Sequence, residues 1–262
     1  MNFQFTGKDE PEGLYQEFFG RPKKEMPRLI AEGYDPISVA GLIDRRESAP
    51  ADVVNTWRCN YVFTSDAIAY DEKNNAKIVL DAKLLRDINP HTKFNNRARV
   101  LSAAQWENLR GDEVLYLSAD EVEQTDKKGF VKRNGFWQPE NNVVGDIWEG
   151  TDSFPGLARR KNLDDYIDLV SKASNGDTFL RLWFDEDKRT SPTMLSLVVF
   201  SIYLNSRVIG YGNLDNKYAR FVGTTPELPR PYAESSLTPS SRLEDTLIPE
   251  KKPWYRRLLG IK

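Results

Sequence analysis

The sequence predicts a mixed α+β fold, with helices and antiparallel hairpins in one compact body and an extended tether at the C-terminal end. Helix-like and strand-like apolar patterns follow one another without a regular β–α repeat, which disfavours a doubly wound sheet. Two polar turns each join a pair of strand-like runs. The 262 residues are 39% hydrophobic and 29% charged, which suits a soluble protein with a sizeable core.

Five segments carry the pattern of a helix. Asp35-Pro36 favours a helix start, because Asp caps free backbone N–H groups and Pro suits the first turn. The apolar run from Met194 to Leu204 predicts a buried core helix, opened by Ser191-Pro192. The predicted helices cover 36–48, 51–58, 102–110, 163–174 and 191–204.

Two hairpins are predicted from their turns. The strand-like runs 61–70 and 77–81 flank a polar, Asn-rich loop. Asn134-Gly135 lies between two apolar runs and accepts the positive φ angles of a two-residue turn, which predicts a second hairpin over 130–138. Further strands are expected over 114–117, 178–184, 207–212 and 220–223, whereas 139–161 is expected to be irregular.

Composition shifts divide the chain into four regions. We expect a polar arm over 1–24, a folded α+β domain over 25–225 that could subdivide near 140–160, a Pro- and Ser-rich linker over 226–250, and a basic amphipathic peptide over 251–262. Prolines break helices and withhold ladder donors, and the serines around them add no apolar surface. The linker is therefore expected to act as a tether.

Charge and the scarcity of cysteine and histidine exclude several classes of site. With one cysteine, Cys59, an intrachain disulfide is impossible, and with one histidine, His91, a Cys/His zinc site is strongly disfavoured. The net charge is −2, but residues 1–250 hold 32 basic and 39 acidic residues, a net charge of −7. A body of that sign repels phosphate backbones on average, which disfavours general nucleic-acid coating but leaves room for a local basic groove.

The sequence also predicts a location. The N-terminal residues MNFQFTGKDEPEG carry acids early and lack an apolar core, which argues against a secretory signal. The longest apolar run has eleven residues interrupted by two serines, so no transmembrane helix is predicted. We therefore expect a cytoplasmic protein in a reducing compartment.

The C-terminal peptide 251–262 reads KKPWYRRLLGIK and carries five cations and no acid. Trp254, Leu258 and Ile261 are spaced so that one helical face would present all three. A helix this short is marginal in water and would form on meeting a surface. The predicted binding residues are Trp254, Tyr255, Arg256, Arg257, Leu258, Leu259 and Ile261.

Three surfaces fit this peptide: a groove on a partner protein, the chain's own body, and an anionic membrane. The simpler alternative is a solubilising end without a role. Membrane contact would be weak, on the order of 1 kcal/mol per cation near an anionic surface. The leading prediction is an interaction protein that recruits a protein partner through this peptide and needs no cofactor.

The string TSDAIAYDEKNNAKIVLDAK resembles the PD-(D/E)XK nuclease superfamily over 20 residues, although Ser65 stands where that motif has proline. There, an acid on one strand and a D/E-x-K on the next meet at one end of a hairpin. The resemblance implies that Asp66 and Asp81 hold Mg²⁺ and that Lys83 orients or deprotonates the attacking water. Strand periodicity would place Asp81 and Lys83 on one face. The alternative function is therefore a Mg²⁺-dependent nuclease acting on DNA or RNA, whereas a hairpin with solvated ends is the simpler interpretation.

The stretch that follows this hairpin is locally basic and could face phosphates. Its candidate phosphate contacts are Arg86, Lys93, Arg97 and Arg99. Nucleic acid is thus a second class of partner that the sequence leaves open.

Overall fold

A computed structural model describes residues 14–95, 97–158, 163–185 and 191–225. Two β-sheets organise this part of the chain, and most of their strand pairs are antiparallel. The main sheet contains β1 (Tyr15–Gly20), β2 (Asp35–Pro36), β3 (Val62–Tyr70), β4 (Ala76–Val79), β5 (Phe94–Asn95), β6 (Ala98–Val100), β7 (Val114–Leu117), β11 (Leu182–Trp183), β12 (Thr193–Val199), β13 (Val208–Gly212) and β14 (Ala219–Thr224). The second sheet contains β8 (Phe130–Arg133), β9 (Phe136–Pro139) and β10 (Thr178–Phe179).

The helices lie between these strands along the chain. They are α1 (Pro22–Ala31), α2 (Val39–Ser48), α3 (Val54–Cys59), α4 (Lys83–Arg86), α5 (Ala103–Asn108), α6 (Ala119–Thr125), α7 (Asn142–Glu149) and α8 (Leu163–Ala173), with a 3₁₀ turn at Ile202–Leu204. This mixture of helices and antiparallel hairpins confirms the predicted α+β class.

Strand β3 is the centre of the main sheet, and all nine of its residues are buried. It pairs antiparallel with β12 and with β4, and parallel with β14 at Phe63 and Phe221. Strand β1 pairs along its whole length with β14. The first and last described strands are therefore neighbours, and the sheet joins both ends of the described chain.

Helices cover both faces of the main sheet. On one face, α2, α3, α7 and α8 contribute the buried side chains of Trp57, Trp148 and Tyr166. On the other face, α1 and α4 contribute Met26 and Leu85. Full burial of such apolar side chains stabilises the fold by roughly 1.5–3 kcal/mol each, which holds the sheet between two helical layers.

Local signals explain the elements that were predicted correctly. Asn134 and Gly135 both have positive φ and join β8 to β9 by a two-residue turn. Ser102 caps α5 in a reciprocal capping box with Gln105. The hairpin of β3 and β4 also forms as predicted, with Ile68 opposite Ile78.

The predicted helix over 191–204 is wrong, because its first half is the strand β12. Every residue of β12 is buried, so the run shows neither the alternation of a half-exposed strand nor the polar face of a helix. Thr193, Val198 and Val199 are β-branched and favour the extended backbone. Periodicity alone could not separate the two structures.

The predicted boundary at residue 24 is also corrected. Residues 15–20 form β1, and Phe18 in that strand is fully buried, so this part of the expected arm belongs to the folded body. Asp35-Pro36 forms the short strand β2, and the helix that follows begins after Ser38, whose hydroxyl accepts the N–H of Gly41. Residues of the arm before Leu14 lie outside the described residues.

Two further segments differ from expectation. Within 139–161, Asn141 caps helix α7 by accepting the N–H of Val144. The single strand expected over 178–184 is divided into β10 and β11, which belong to different sheets. Leu180 lies between them with a φ of 53°, a left-handed backbone that no strand can continue through.

Candidate functional site

One end of the main sheet carries a continuous row of aromatic rings and cations. We call it the aromatic row. Its rings belong to Trp183, Phe200, Tyr61, Phe19 and Tyr218, its inner cations are Arg207 and Arg220, and its end cations are Lys127 and Lys217.

The first half of the row runs from Lys127 to Tyr61. The Lys127 Nζ atom lies 5.4 Å from the centroid of the Trp183 ring. The guanidinium carbon of Arg207 lies 5.6 Å from the Trp183 ring and 4.9 Å from the Phe200 ring. The ring centroids of Phe200 and Tyr61 are 6.1 Å apart. Each cation is therefore within the distance at which an aromatic face attracts it.

The second half continues from Tyr61 to Lys217. The guanidinium carbon of Arg220 lies 5.2 Å from the Tyr61 ring and 5.4 Å from the Phe19 ring. The rings of Phe19 and Tyr218 are 6.3 Å apart, and Lys217 Nζ lies 5.0 Å from the Tyr218 ring. The Tyr61 hydroxyl donates to the Tyr218 carbonyl oxygen at 2.6 Å, which joins the two halves.

Sheet register brings these residues together from distant parts of the sequence. Strands β3, β13 and β14 begin at this end of the sheet, whereas β1 and β12 end there. Val199 near the end of β12 lies opposite Val62 and Val208, and Phe19 lies opposite Arg220. The order of the strands in the sheet therefore brings the residues of the row together.

Exposed apolar side chains are concentrated at this end. In the described part of the chain, seven large hydrophobic side chains are exposed, and four of them lie here. Phe19 is 43% exposed, Tyr203 51%, Leu204 49% and Tyr218 54%. Tyr203 and Leu204 lie in the 3₁₀ turn that follows Phe200. Such a concentration of exposed apolar surface is typical of an interaction site.

A buried arginine supports the row from below. Arg46 on α2 is fully buried, and its guanidinium donates to the carbonyl oxygens of Trp57, Asn60 and Phe200 at 2.7 to 3.0 Å. It also donates to the hydroxyl oxygen of Tyr166 at 2.9 Å. The cation thereby joins α2, α3 and α8 to the ends of the strands that carry the row.

A second buried network joins this support to the surface. Arg220 donates to the side-chain oxygen of Asn60 and to Glu17, with 2.6 Å between its Nε and the carboxylate. Burial raises the pKa of the Tyr61 hydroxyl, and Glu17 raises it too, whereas Arg220 lowers it. Asn60 therefore links the two arginines, because its side-chain oxygen accepts from Arg220 and its backbone carbonyl oxygen accepts from Arg46. The rings that contact Arg220 thus pack against a side chain that is itself held by hydrogen bonds.

An acidic cluster lies elsewhere on α2. Burial, together with smaller contributions from Asp44 and Asp165, raises the pKa of Glu47 from 4.5 to about 7, while Arg58 opposes the shift. Within the residues that the structure describes, no group of three or more His, Cys, Asp or Glu side chains could hold a metal ion.

The first of the predicted nuclease residues, Asp66, forms hydrogen bonds with the backbone of the protein itself. Asp66 is fully buried, and its two carboxylate oxygens accept the backbone N–H groups of Val39 at 2.6 Å and Asp81 at 2.8 Å. Val39 is the first residue of α2, so the Asp66 charge lies at the positive end of that helix. Metal binding through Asp66 would have to compete with both hydrogen bonds.

The other two members of the predicted triad are also placed differently from expectation. Strand β4 ends at Val79, Asp81 has a φ of 45°, and Lys83 begins helix α4. The expectation that Asp81 and Lys83 share one face of a strand is therefore wrong. The Asp81 carboxylate forms a short ion pair with Arg86. The nuclease hypothesis itself stays a prediction.

The four candidate phosphate contacts divide into two pairs. Arg86 is bound by Asp35 and Asp81, and Arg99 donates to the carbonyl oxygen of Leu84. Lys93 and Arg97 are exposed, and neither forms an ion pair with a described carboxylate. Only Lys93 and Arg97 are therefore available to a ligand without breaking an internal contact.

The C-terminal peptide and its seven predicted binding residues lie outside the described residues. Sequence reasoning missed the aromatic row altogether. Its members come from separate segments of the chain, and no spacing in the sequence links them. The available signal was indirect, since Tyr61 begins a predicted strand, Tyr218 lies two residues before another, and Phe200 lies inside the apolar run from Met194 to Leu204.

Comparisons with known proteins give the fold. No protein-family model matches the sequence, and no curated protein matches it significantly. A solved chain from work on the accommodation of massive sequence variation in Nanoarchaeota by the C-type lectin fold is similar in structure, with a TM-score of 0.56 and 18% sequence identity. The match covers 82% of this chain and 99% of that one. The protein thus has a C-type lectin fold, which by itself names no ligand.

None of the described helices is long and apolar enough to cross a membrane.

Proposed function

We propose that the protein is a binding protein that holds a partner protein on the aromatic row. The observation that carries this proposal is the clustering of four exposed apolar side chains at the end of the sheet that also carries the rings and cations of the row. Protein interfaces are enriched in Tyr, Trp, Phe and Arg, and these residues dominate the binding energy where they are packed at the centre.

The support beneath the row favours binding by a preformed surface. A surface that is ordered before binding loses less conformational entropy on binding, so more of the contact energy remains as affinity. Arg46 fixes the carbonyl groups of Trp57, Asn60 and Phe200, and Arg220 lies between two rings of the row. We expect these rings to hold nearly the same positions with and without the partner.

The C-type lectin fold is compatible with this role. The similar solved chain is described as accommodating massive sequence variation. A fold that tolerates varied side chains on its surface can present different binding residues while its strands keep their positions. In the present chain, those strands form the buried sheet around β3, and the variable part would be the side chains at its end.

The direct test compares matched pairs of surface variants. Tyr203→Ala combined with Tyr218→Ala, called the row variant, removes one exposed ring of the row and one in the adjacent 3₁₀ turn. Tyr116→Ala combined with Phe136→Ala removes two exposed aromatic side chains elsewhere. Tagged proteins are used to capture partners from an extract of the source cells, and affinity for the purified partner is then measured by calorimetry. We expect the affinity of the row variant for the partner to fall at least about tenfold. Truncation of an aromatic side chain at the centre of an interface commonly costs roughly 2 kcal/mol or more of binding free energy.

The control pair should bind as the wild type does. Equal loss in both variants, or loss only in the control pair, would contradict the proposal. Thermal unfolding checks that both variants are folded, and exposed substitutions of this kind usually change stability by less than about 0.5 kcal/mol.

The basic C-terminal peptide remains a second proposed contact, supported by its sequence. Its five cations and its apolar spacing at Trp254, Leu258 and Ile261 suit a groove on the recruited protein. Deletion of 251–262 should weaken partner capture and leave the melting temperature unchanged. A large fall in melting temperature would instead indicate that the peptide packs on the body of the protein.

A further inference from the structure

We infer that a second surface, separate from the aromatic row, binds the phosphate backbone of nucleic acids. We call it the basic face. It consists of Lys23 on α1, Lys83 at the start of α4, and Lys93 and Arg97 on either side of β5, with Lys23 over the ring of Phe94.

Three separate segments of the chain converge on this face. Lys23 on α1 reaches across to β5, where its Nζ atom lies 4.5 Å from the centroid of the Phe94 ring. Helix α1 packs against α4, which begins with Lys83. Lys93 and Arg97 flank the two residues of β5, and the carbonyl oxygen of Lys93 accepts the N–H of Val100.

The turn residue Arg97 is anchored through its backbone. Arg97 has a φ of 70°, and its carbonyl oxygen accepts the N–H of Leu214 at 2.8 Å. Arg99 lies opposite Phe94 and donates to the carbonyl oxygen of Leu84, which ties the turn to α4. Arg99, which was predicted to contact phosphate, thus helps to position the basic face instead.

The cations of the face lack acidic partners among the described residues. In the part of the chain that the structure describes, none of Lys23, Lys83, Lys93 and Arg97 forms an ion pair with a carboxylate. The neighbouring arginines behave differently, since Arg86 is held by two carboxylates. Four like charges held on one side of an otherwise acidic protein repel one another, and a polyanion relieves that repulsion.

A nucleic acid fits this arrangement better than an acidic polypeptide. Phosphates follow one another at regular intervals along a stiff chain, so cations fixed on three elements can neutralise several at once. The Phe94 ring among these cations offers an apolar surface to a sugar or base. An acidic peptide would gain nothing specific from that ring.

The test measures binding of a fluorescent single strand and a duplex by anisotropy, with the full-length protein, from about 50 to about 200 mM salt. If four phosphates are neutralised, the logarithm of the binding constant should fall with the logarithm of salt concentration with a slope of about −3 to −4. The triple variant Lys23→Glu, Lys93→Glu and Arg97→Glu should lose more than tenfold in affinity and flatten the slope.

The control carries the same change in charge at another place. Lys73→Glu, Lys132→Glu and Arg133→Glu replace three exposed cations outside the basic face and should retain wild-type binding within about twofold. The row variant Tyr203→Ala with Tyr218→Ala should also retain it, which separates this inference from the proposed function. The milder triple Lys23→Gln, Lys93→Gln and Arg97→Gln should weaken binding as well, and circular dichroism shows whether each variant is folded.

Three results would overturn the inference. The first is the lack of measurable binding at the lowest salt concentration. The second is equal weakening in the basic-face and control triples. The third is competition by polyglutamate as effective as that by unlabelled nucleic acid, which would assign the face to an acidic protein.

Discussion

Two buried charged side chains act at opposite ends of helix α2, and they have different relations to the surface. The guanidinium of Arg46 donates hydrogen bonds to carbonyl and hydroxyl oxygens directly beneath the aromatic row. Asp66 accepts backbone N–H groups where α2 and the end of the β3–β4 hairpin meet, away from the row. The comparison shows that only one of these two buried charges helps to position exposed side chains.

The largest expected effect is that of removing Arg46. In Arg46→Met, the carbonyl oxygens of Trp57, Asn60 and Phe200 lose the hydrogen bonds that the guanidinium donates, which should lower the free energy of unfolding by roughly 4 kcal/mol. Urea unfolding measures this loss. At low temperature, where the variant is folded, partner affinity should also fall because the row is less ordered.

Arg46→Lys provides the control for that change. Lysine keeps the positive charge but cannot supply the same fork of donors, so most of the loss should remain. Full stability in this variant would show that the charge, rather than the directed hydrogen bonds, supports the row.

The next effect is that of removing Asp66. Asp66→Ala leaves the N–H groups of Val39 and Asp81 without acceptors and should cost roughly 3 kcal/mol of stability. Partner affinity of the folded fraction should not change, because the row lies elsewhere. Asp66→Asn keeps one oxygen acceptor and should lose less.

A variant at Asp81 tests the nuclease hypothesis. Incubation of the wild type with DNA and RNA, with and without Mg²⁺, measures cleavage. If cleavage occurs and disappears in Asp81→Ala while the variant remains folded, the hairpin is a catalytic site, and the structural interpretation of Asp66 is incomplete.

The smallest expected effect is on pH dependence and involves Glu47. Its folded-state pKa of about 7 lies above its ordinary value of 4.5, so its ionisation in the folded state is unfavourable. The resulting stability is fully present below the ordinary pKa and is lost as pH rises through about 7. Glu47→Gln should therefore gain melting temperature relative to the wild type at about pH 8 and show little gain at about pH 4. An equal difference at both pH values would contradict this.

Local patterns in the sequence predicted local structure well. The Asn134-Gly135 turn and the Ser102 cap depend on backbone geometry that a few neighbouring residues determine. Strand β12 could not be predicted in the same way, because burial on both faces erased its period. The pairing of β1 with β14 joins segments about two hundred residues apart, and only the folded sheet reveals it.

The sites follow the same rule. A resemblance to a nuclease motif singled out Asp66 and Asp81, but the hydrogen bonds that occupy Asp66 depend on where α2 packs. In the basic stretch, the sequence indicated Lys93 and Arg97 as candidate phosphate contacts, and both are exposed in the structure. It could not indicate Lys23, which α1 brings from a distant segment. The aromatic row depends on strand order, so no single segment of the sequence could predict it.

The central claim, that a partner protein binds at the end of the main sheet, is tested most directly by site-specific photocrosslinking. A photoreactive phenylalanine analogue is introduced in place of Tyr218 at the row and, separately, in place of Tyr116 on β7, which is exposed to a similar degree. We predict a crosslinked partner from position 218 and none from position 116. A partner captured only from position 116, or from neither position while the partner still copurifies with the protein, would contradict the claim.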